Sequence, residues 1–198
     1  RNVCENTARL GLPTRLITTV GEDMYGEKIR SWCRECGIAT DSFVTLPGKN
    51  SSSYVSIHRN DGEMAVALSD MRILQELTPA RLEPMRDKLA NGAAIGGDGC
   101  LPQETLRYII RTYGGSVPVF ADPVSTAYAR RMRPVLRGID TLKPNRLEAE
   151  ILSGRTIRCE ADYFRAAEGI LAQGVRRVII SAGSRGCYYA DNMGQRLW

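Results

Sequence analysis

The sequence predicts an α/β fold, a mostly parallel sheet with helices on both faces, carrying a small antiparallel β lid. Three observations predict it. Short apolar, β-branched runs alternate with stretches of helical period, as strands buried on both faces require. Between Asp41 and Asp70 the alternation gives way to brief runs split by Pro47-Gly48-Lys49-Asn50 and Asn60-Asp61-Gly62-Glu63, two hairpin signals. It then resumes to the end of the 198 residues. The expected division is an α/β core from residues 1–40 and 71–198, with 41–70 inserted as the lid.

In order, Asn2 to Leu10 reads as a helix stopped by Gly11, and the β-branched Thr14–Val20 as a buried strand. Met24–Cys36 has helical spacing through Tyr25, Ile29 and Trp32, which places Trp32 in the core, and Gly37 closes it. Ser42–Leu46, Ser53–Ile57 and Met64–Leu68 are the three lid strands. Helices are then expected at Pro79–Leu89, Pro102–Tyr113, Arg131–Leu136, Asn145–Leu152 and Glu160–Gln173. Strands are expected at Ala93–Gly97, Val117–Ala121, Ile139–Leu142, Val175–Ser181 and Gly186–Ala190.

Composition narrows the function classes. The net charge is +5, but it is spread along the chain without a basic block or aromatic interleaving, so nucleic acid is not the expected partner. No apolar run approaches a membrane span and no leader-like segment precedes the first helix, so the expected compartment is the cytoplasm. The six cysteines form no disulfide-like framework. Cys33-Arg34-Glu35-Cys36 lacks a second pair, and His58 is the only histidine, so a zinc site would lack ligands and both cysteines are expected to pack.

Ligands of open parallel sheets collect at the carboxyl ends of the strands. There the sequence puts Asp98, Asp122-Pro123, Lys143-Pro144-Asn145 and the turn Ser181-Ala182-Gly183-Ser184-Arg185-Gly186. Pro144 suits the first turn of a helix, where its missing N–H costs nothing. Asn145 and Glu148, three residues apart, would share a face near that helix's N-terminus. With Lys143 they would gather an amide, a carboxylate and an ammonium beside outward-pointing N–H groups. That suits a phosphate and its magnesium ion, and equally an ordinary capped helix with a solvated charged face.

Several pieces resemble one family in order and spacing. They are Asn2-Val3-Cys4-Glu5-Asn6, Val20-Gly21-Glu22-Asp23-Met24-Tyr25-Gly26, Ser51-Ser52-Ser53-Tyr54, Gly62-Glu63-Met64, Asp122-Pro123-Val124-Ser125, Lys143-Pro144-Asn145-Arg146-Leu147-Glu148-Ala149-Glu150, and Ser181-x-Gly183-x-x-Gly186. Over essentially the whole chain the sequence resembles the ribokinase-like (PfkB-type) sugar and nucleoside kinases. The resemblance implies transfer of a phosphate from ATP, with Mg²⁺, to a ribosyl hydroxyl, the 5′-hydroxyl of pseudouridine being favoured. It implies substrate contacts at Asn2 and at Ser53 on the lid, with Asp70 and Asp98 near the substrate. Asp122, Lys143, Asn145, Ser181, Gly183 and Gly186 would serve ATP and its phosphates, and Asn145 with Glu148 the metal, through water. The partner is a small nucleoside or sugar, and the lid could join two copies as a homodimer.

The resemblance also sets expectations about what is not in these residues. The family's paired glycines and first strand would precede Arg1, and its Gly-Ala-Gly-Asp segment, with the general base, would follow Trp198. Gly96-Gly97-Asp98-Gly99 comes too early in the order to replace it. No residue is therefore assigned as the catalytic base, and a ligand-binding chain without catalysis stays the competing expectation.

Overall fold

The computed structural model describes residues 1–62 and 64–198, with the backbone alone at Met64. The expected turn and family match at Glu63 lie outside the described residues. The chain divides into two compact units, Arg1–Arg81 and Leu82–Trp198.

The first unit holds α1 (Asn2–Arg9), β1 (Thr14–Arg15), β2 (Thr18–Gly21), α2 (Met24–Glu35), β3 (Ile38–Ala39), β4 (Phe43–Leu46), β5 (Ser53–His58) and β6 (Met64–Asp70). The three-stranded antiparallel lid is corrected. Among the described residues of the lid, β5 and β6 alone pair antiparallel, whereas β4 lies parallel to β2, with Thr18 opposite Phe43 and Gly21 opposite Leu46. Alternation in the sequence reports which faces are apolar, not which neighbour a strand chooses. Trp32 is also corrected, since it is 44% exposed and its indole N–H donates to Glu5 of α1 at 3.2 Å. Cys33 is fully buried, as expected of a packing residue, and burial pushes its thiol up.

The family-like run from Val20 to Gly26 builds a clamp. Asp23 caps α2 by accepting from the Gly26 N–H at 2.7 Å. The same carboxylate accepts from the Ser51 N–H and the Ser51 hydroxyl, both at 2.7 Å, while Ser51 Oγ accepts from the Gly21 N–H at 2.9 Å. These bonds, the Ser51 N–H foremost, hold the Asp23 carboxyl below its ordinary range. The entry to β5 is thus tied to the end of β2 by side chains far apart in sequence.

The passage between the units runs through α3 (Pro79–Leu82), a 3₁₀ turn at Glu83–Met85 and α4 (Arg86–Ala90). The single helix expected over Pro79–Leu89 is broken because Pro84 can neither donate to the ladder nor clear the preceding turn. The second unit continues with β7 (Ile95–Asp98), α5 (Gln103–Tyr113), β8 (Val119–Asp122), α6 (Thr126–Met132), β9 (Thr141–Leu142), α7 (Arg146–Ser153), α8 (Glu160–Leu171), β10 (Arg177–Ser181), β11 (Cys187–Asp191) and β12 (Arg196–Leu197).

These strands form one six-stranded sheet in the order β12-β11-β10-β9-β8-β7. Strands β7 to β10 are mutually parallel, and β10, β11 and β12 run antiparallel. Its core takes Leu142, Val178 and Ile180 from the strands and Leu152, Ala166 and Ile170 from α7 and α8, all fully buried. Burial of each leucine, isoleucine or valine among them contributes about 1.5–3 kcal/mol. At the amino end of the sheet the buried Asp140 carboxylate pairs with Arg177 at 2.7 Å and accepts from the Thr141 hydroxyl at 2.8 Å. The chemistry-bearing residues singled out in the sequence lie at the other end.

Candidate functional site

Strand register brings the predicted residues of the second unit into one row. Asp98 and Asp122 are Cα partners at the carboxyl ends of β7 and β8, and the Gly99 N–H donates to the Asp122 carbonyl at 2.9 Å. The next position along the row is Lys143, whose N–H donates to the Ala121 carbonyl at 3.0 Å and whose ammonium reaches Asp122 Oδ2 at 3.3 Å. Asn145 and Ser181 follow as bridged partners, with the Ser181 N–H on the Pro144 carbonyl at 3.0 Å.

Asn145 is the N-cap of α7, so Pro144 stands just outside the helix rather than in its first turn. The cap is reciprocal. Asn145 Oδ1 accepts from the Glu148 N–H at 3.0 Å, and Glu148 Oε2 accepts from the Asn145 N–H at 2.9 Å. This satisfies two otherwise unpaired donors at the helix start. Glu148 is only 2% exposed, and burial, aided by the charge of Asp122 and opposed by Lys143, raises its pKa. A carboxylate buried at this cost beside a second carboxylate and a lysine is a candidate for function rather than for stability.

The turn after β10 is held by backbone. Gly183 and Gly186 have φ of +63° and +93°, and Gly186 combines this with ψ of −135°, a region open essentially to glycine alone. The Ala182 N–H donates to the Gly186 carbonyl at 2.9 Å. No atom stands within 4 Å of where a Cβ would project from either glycine, so the turn offers bare backbone. Backbone N–H groups in such turns make anion-binding concavities.

Sequence reasoning missed Val124, which has φ of +70°. A β-branched residue in the left-handed region is a strained outlier. The strain sits in the Asp122-Pro123-Val124-Ser125 loop, where Asp122 Oδ1 accepts from the Val124 N–H at 2.9 Å and Ser125 caps α6. The Asx turn explains the signal that was available, an aspartate before proline with a serine cap three residues on. Gly99 is required next door, because a Cβ there would stand 2.4 Å from the Pro123 carbonyl oxygen. Asp98 accepts from the Cys100 N–H at 2.9 Å, and burial, with the nearby Asp98 carboxylate, pushes the Cys100 thiol up to about 12.

In the first unit, Ser53 and Asp70 are Cα partners across the β5–β6 hairpin. Asp70 is engaged by the Arg72 guanidinium at 2.6 and 2.9 Å, which holds its carboxyl at about 2. Asn2 opens α1 on an exposed turn. Within the Ser51–Tyr54 run the sequence singled out Ser53, yet it is the buried Ser52 hydroxyl that has no hydrogen-bond partner among the described residues.

Among the described residues no three His, Cys, Asp or Glu side chains lie where they could hold a metal ion together. Mg²⁺ commonly keeps several waters and uses one or two carboxylates with substrate phosphates. Asn145 and Glu148, with Asp122 close by, fit that water-mediated mode and not an all-protein cage.

The model of the pfkB family of carbohydrate kinases matches residues 1–198. The chain belongs to this family. It is 37% identical over 198 residues to a pseudouridine kinase from Escherichia coli strain K12, covering all of this chain and 63% of that protein. A carbohydrate kinase from Agrobacterium tumefaciens superposes with a TM-score of 0.81 at 27% identity, over 96% of this chain and 60% of the other. A ribokinase from Arabidopsis thaliana, solved with ribose and ATP, has the same fold with a TM-score of 0.86 at 19% identity, over 99% of this chain and 64% of its own. The chain therefore spans about three fifths of the length of these relatives, and its fold is ribokinase-like.

Proposed function

We propose that the protein containing these residues transfers the γ-phosphate of ATP to a ribosyl hydroxyl, with pseudouridine as acceptor and its 5′-phosphate as product. The observation that carries the reading is the buried Glu148, locked to Asn145 by the reciprocal cap and set in one row with Lys143, Asp122 and the Ser181–Gly186 turn. The identity to a pseudouridine kinase supports the choice of acceptor.

Phosphoryl transfer depends on positioning and charge neutralisation more than on covalent help. Lys143 would meet phosphate oxygens as a point charge, and the N–H groups of the 181–186 turn would orient them. Asn145 and Glu148 would hold Mg²⁺ through water, and that ion, when bound, supplies neutralisation of the phosphate charge. Asp122 positions Lys143 through their ion pair. Asn2 and Ser53 are the proposed acceptor contacts, with Asp70 and Asp98 near the acceptor, and the orphan Ser52 hydroxyl is a further candidate. The proposed compartment is the cytoplasm, consistent with the finding that no helix among the described residues is long and apolar enough to cross a membrane.

The test is phosphate transfer from labelled ATP to an equimolar panel of pseudouridine, uridine, guanosine and ribose. Label in pseudouridine 5′-phosphate above all others is expected. Preference for another member would retain the kinase and overturn the acceptor. No transfer to any member would remove both.

A homodimer through the β5–β6 hairpin belongs to the same proposal. Tyr54, Val55, Ile57, Val66 and Leu68 are exposed apolar side chains on these two strands, more than a solvated hairpin needs. Light scattering should give the mass of two copies, and Val55→Lys with Leu68→Lys should halve it. An unaltered mass in that variant would place the interface elsewhere.

A further inference from the structure

Among the described residues Val124 alone, glycines aside, has a positive φ, +70°. The Ser125 N–H donates to the Pro123 carbonyl at 2.8 Å, closing a three-residue turn with Val124 at its centre. With a positive central φ this is the rare, strained form of that turn. Both of its sides are held. The Val124 N–H donates to Asp122 Oδ1 at 2.9 Å, and the Ser125 hydroxyl accepts from the Tyr128 N–H at 3.3 Å as it caps α6. Gly99 packs against the Pro123 carbonyl, whose oxygen would stand 2.4 Å from a Cβ on that glycine.

Nothing in this backbone calls for a valine. At residue 124 the turn uses the main-chain N–H, which any residue but proline supplies. Glycine takes a positive φ without the clash that a β-branched side chain meets there, and asparagine tolerates it. Nor does packing within the described residues offset the strain, because Val124 is 49% exposed. Strained residues of this kind cluster at ligand clamps and active sites, where the surrounding structure holds them in place.

The position suggests what the side chain is for. Val124 stands two residues beyond Asp122, whose Oδ2 lies 3.3 Å from the Lys143 ammonium, and Asp98 is the Cα partner of Asp122 on the neighbouring strand. The valine therefore adds apolar surface to an edge otherwise made of carboxylates, an ammonium and backbone N–H groups. A phosphate gains nothing from two methyl groups, whereas the apolar face of a sugar or base ring does. Small-molecule sites combine such surface with a few placed polar groups.

We propose that Val124 is a specificity contact, its methyl groups packing against the ring face of the nucleoside acceptor. The inference rests on the kinase reading above and on the placement of Asp98 near the acceptor. Such a contact acts alike in the ground state and the transition state, so its loss raises KM and leaves kcat unchanged.

The test is steady-state kinetics of Val124→Gly and Val124→Asn in the full-length protein, two variants that keep the positive φ. ATP is varied in one series, and in the other whichever of pseudouridine, uridine, guanosine and ribose the parent prefers. KM for that acceptor is expected to rise about 10-fold or more in both variants, with kcat and the KM for ATP unchanged. The melting temperature should be no lower than the parent's, and highest in Val124→Gly, where the strain is relieved. An unaltered acceptor KM would overturn the proposal, and so would a rise in the KM for ATP alone, which would give the side chain to the nucleotide. A lower melting temperature in both variants would show that protein, not ligand, covers Val124. Turnover by the parent with unaltered variants defeats this inference alone, whereas a parent that phosphorylates no member of the panel removes the kinase reading with it.

Discussion

Glu148→Gln is expected to lower kcat/KM for ATP-dependent phosphorylation about 100-fold or more, the usual size when one preorganised electrostatic group is lost. The glutamine keeps the shape and can still accept from the Asn145 N–H, so the cap on α7 survives. What disappears is the negative charge. The same variant carries a stability signature with a definite sign. Burial raises the Glu148 pKa in the folded state, so the folded protein holds this proton more tightly than the unfolded chain does. Stability therefore falls as pH rises from the ordinary carboxylate range through the raised folded value, and stays reduced above it. Glutamine removes that loss. The variant should melt no lower than the parent at acidic pH and higher at pH 8, while being much less active. Full activity combined with a lower melting temperature at pH 8 would make Glu148 a capping residue and nothing more.

The second large effect is on stability. In Gly21→Ala the new Cβ would stand 2.2 Å from the Lys49 carbonyl oxygen and 2.8 Å from the Ser51 nitrogen. Both are backbone atoms, so no side chain can swing away. The Lys49–Ser51 segment must move, and with it go the bonds from Gly21 and Ser51 that meet at Asp23. Overpacking of this kind costs about 1–3 kcal/mol or more. At this size that corresponds to a fall of roughly 2–12 °C in melting temperature. Ser51→Ala removes the hydroxyl bonds without the clash and should cost less. An unchanged melting temperature in Gly21→Ala would show that the clamp is not rigid.

Much of the second unit was legible because its strands are buried on both faces and its helices carry plain end signals. Asn145 with Glu148 three residues on spelled a helix start, though Pro144 was read inside the helix and stands outside it, and Gly183 and Gly186 spelled a turn. The row of Asp98, Asp122, Lys143 and Ser181 followed from the rule that parallel strands present their carboxyl ends together. Pairings between distant segments were less legible. Nothing local in Phe43–Leu46 says that it pairs parallel with Thr18–Gly21. Trp32 fits an amphipathic stripe, yet Glu5 on another helix draws its indole N–H outward. The break at Pro84 was readable from proline alone and was overlooked. Val124 was signalled only indirectly, by an aspartate before proline with a serine cap three residues on, and its positive φ accompanies the Asp122 turn.

Hydrogen exchange of the full-length protein with and without Mg²⁺–ATP tests the central claim most directly, because it locates the phosphate-binding edge without relying on turnover. Slower exchange is expected in peptides covering residues 98–100, 122–125, 143–148 and 181–186, the carboxyl ends of the four parallel strands. Protection confined to other segments, with these four unchanged, would contradict the account.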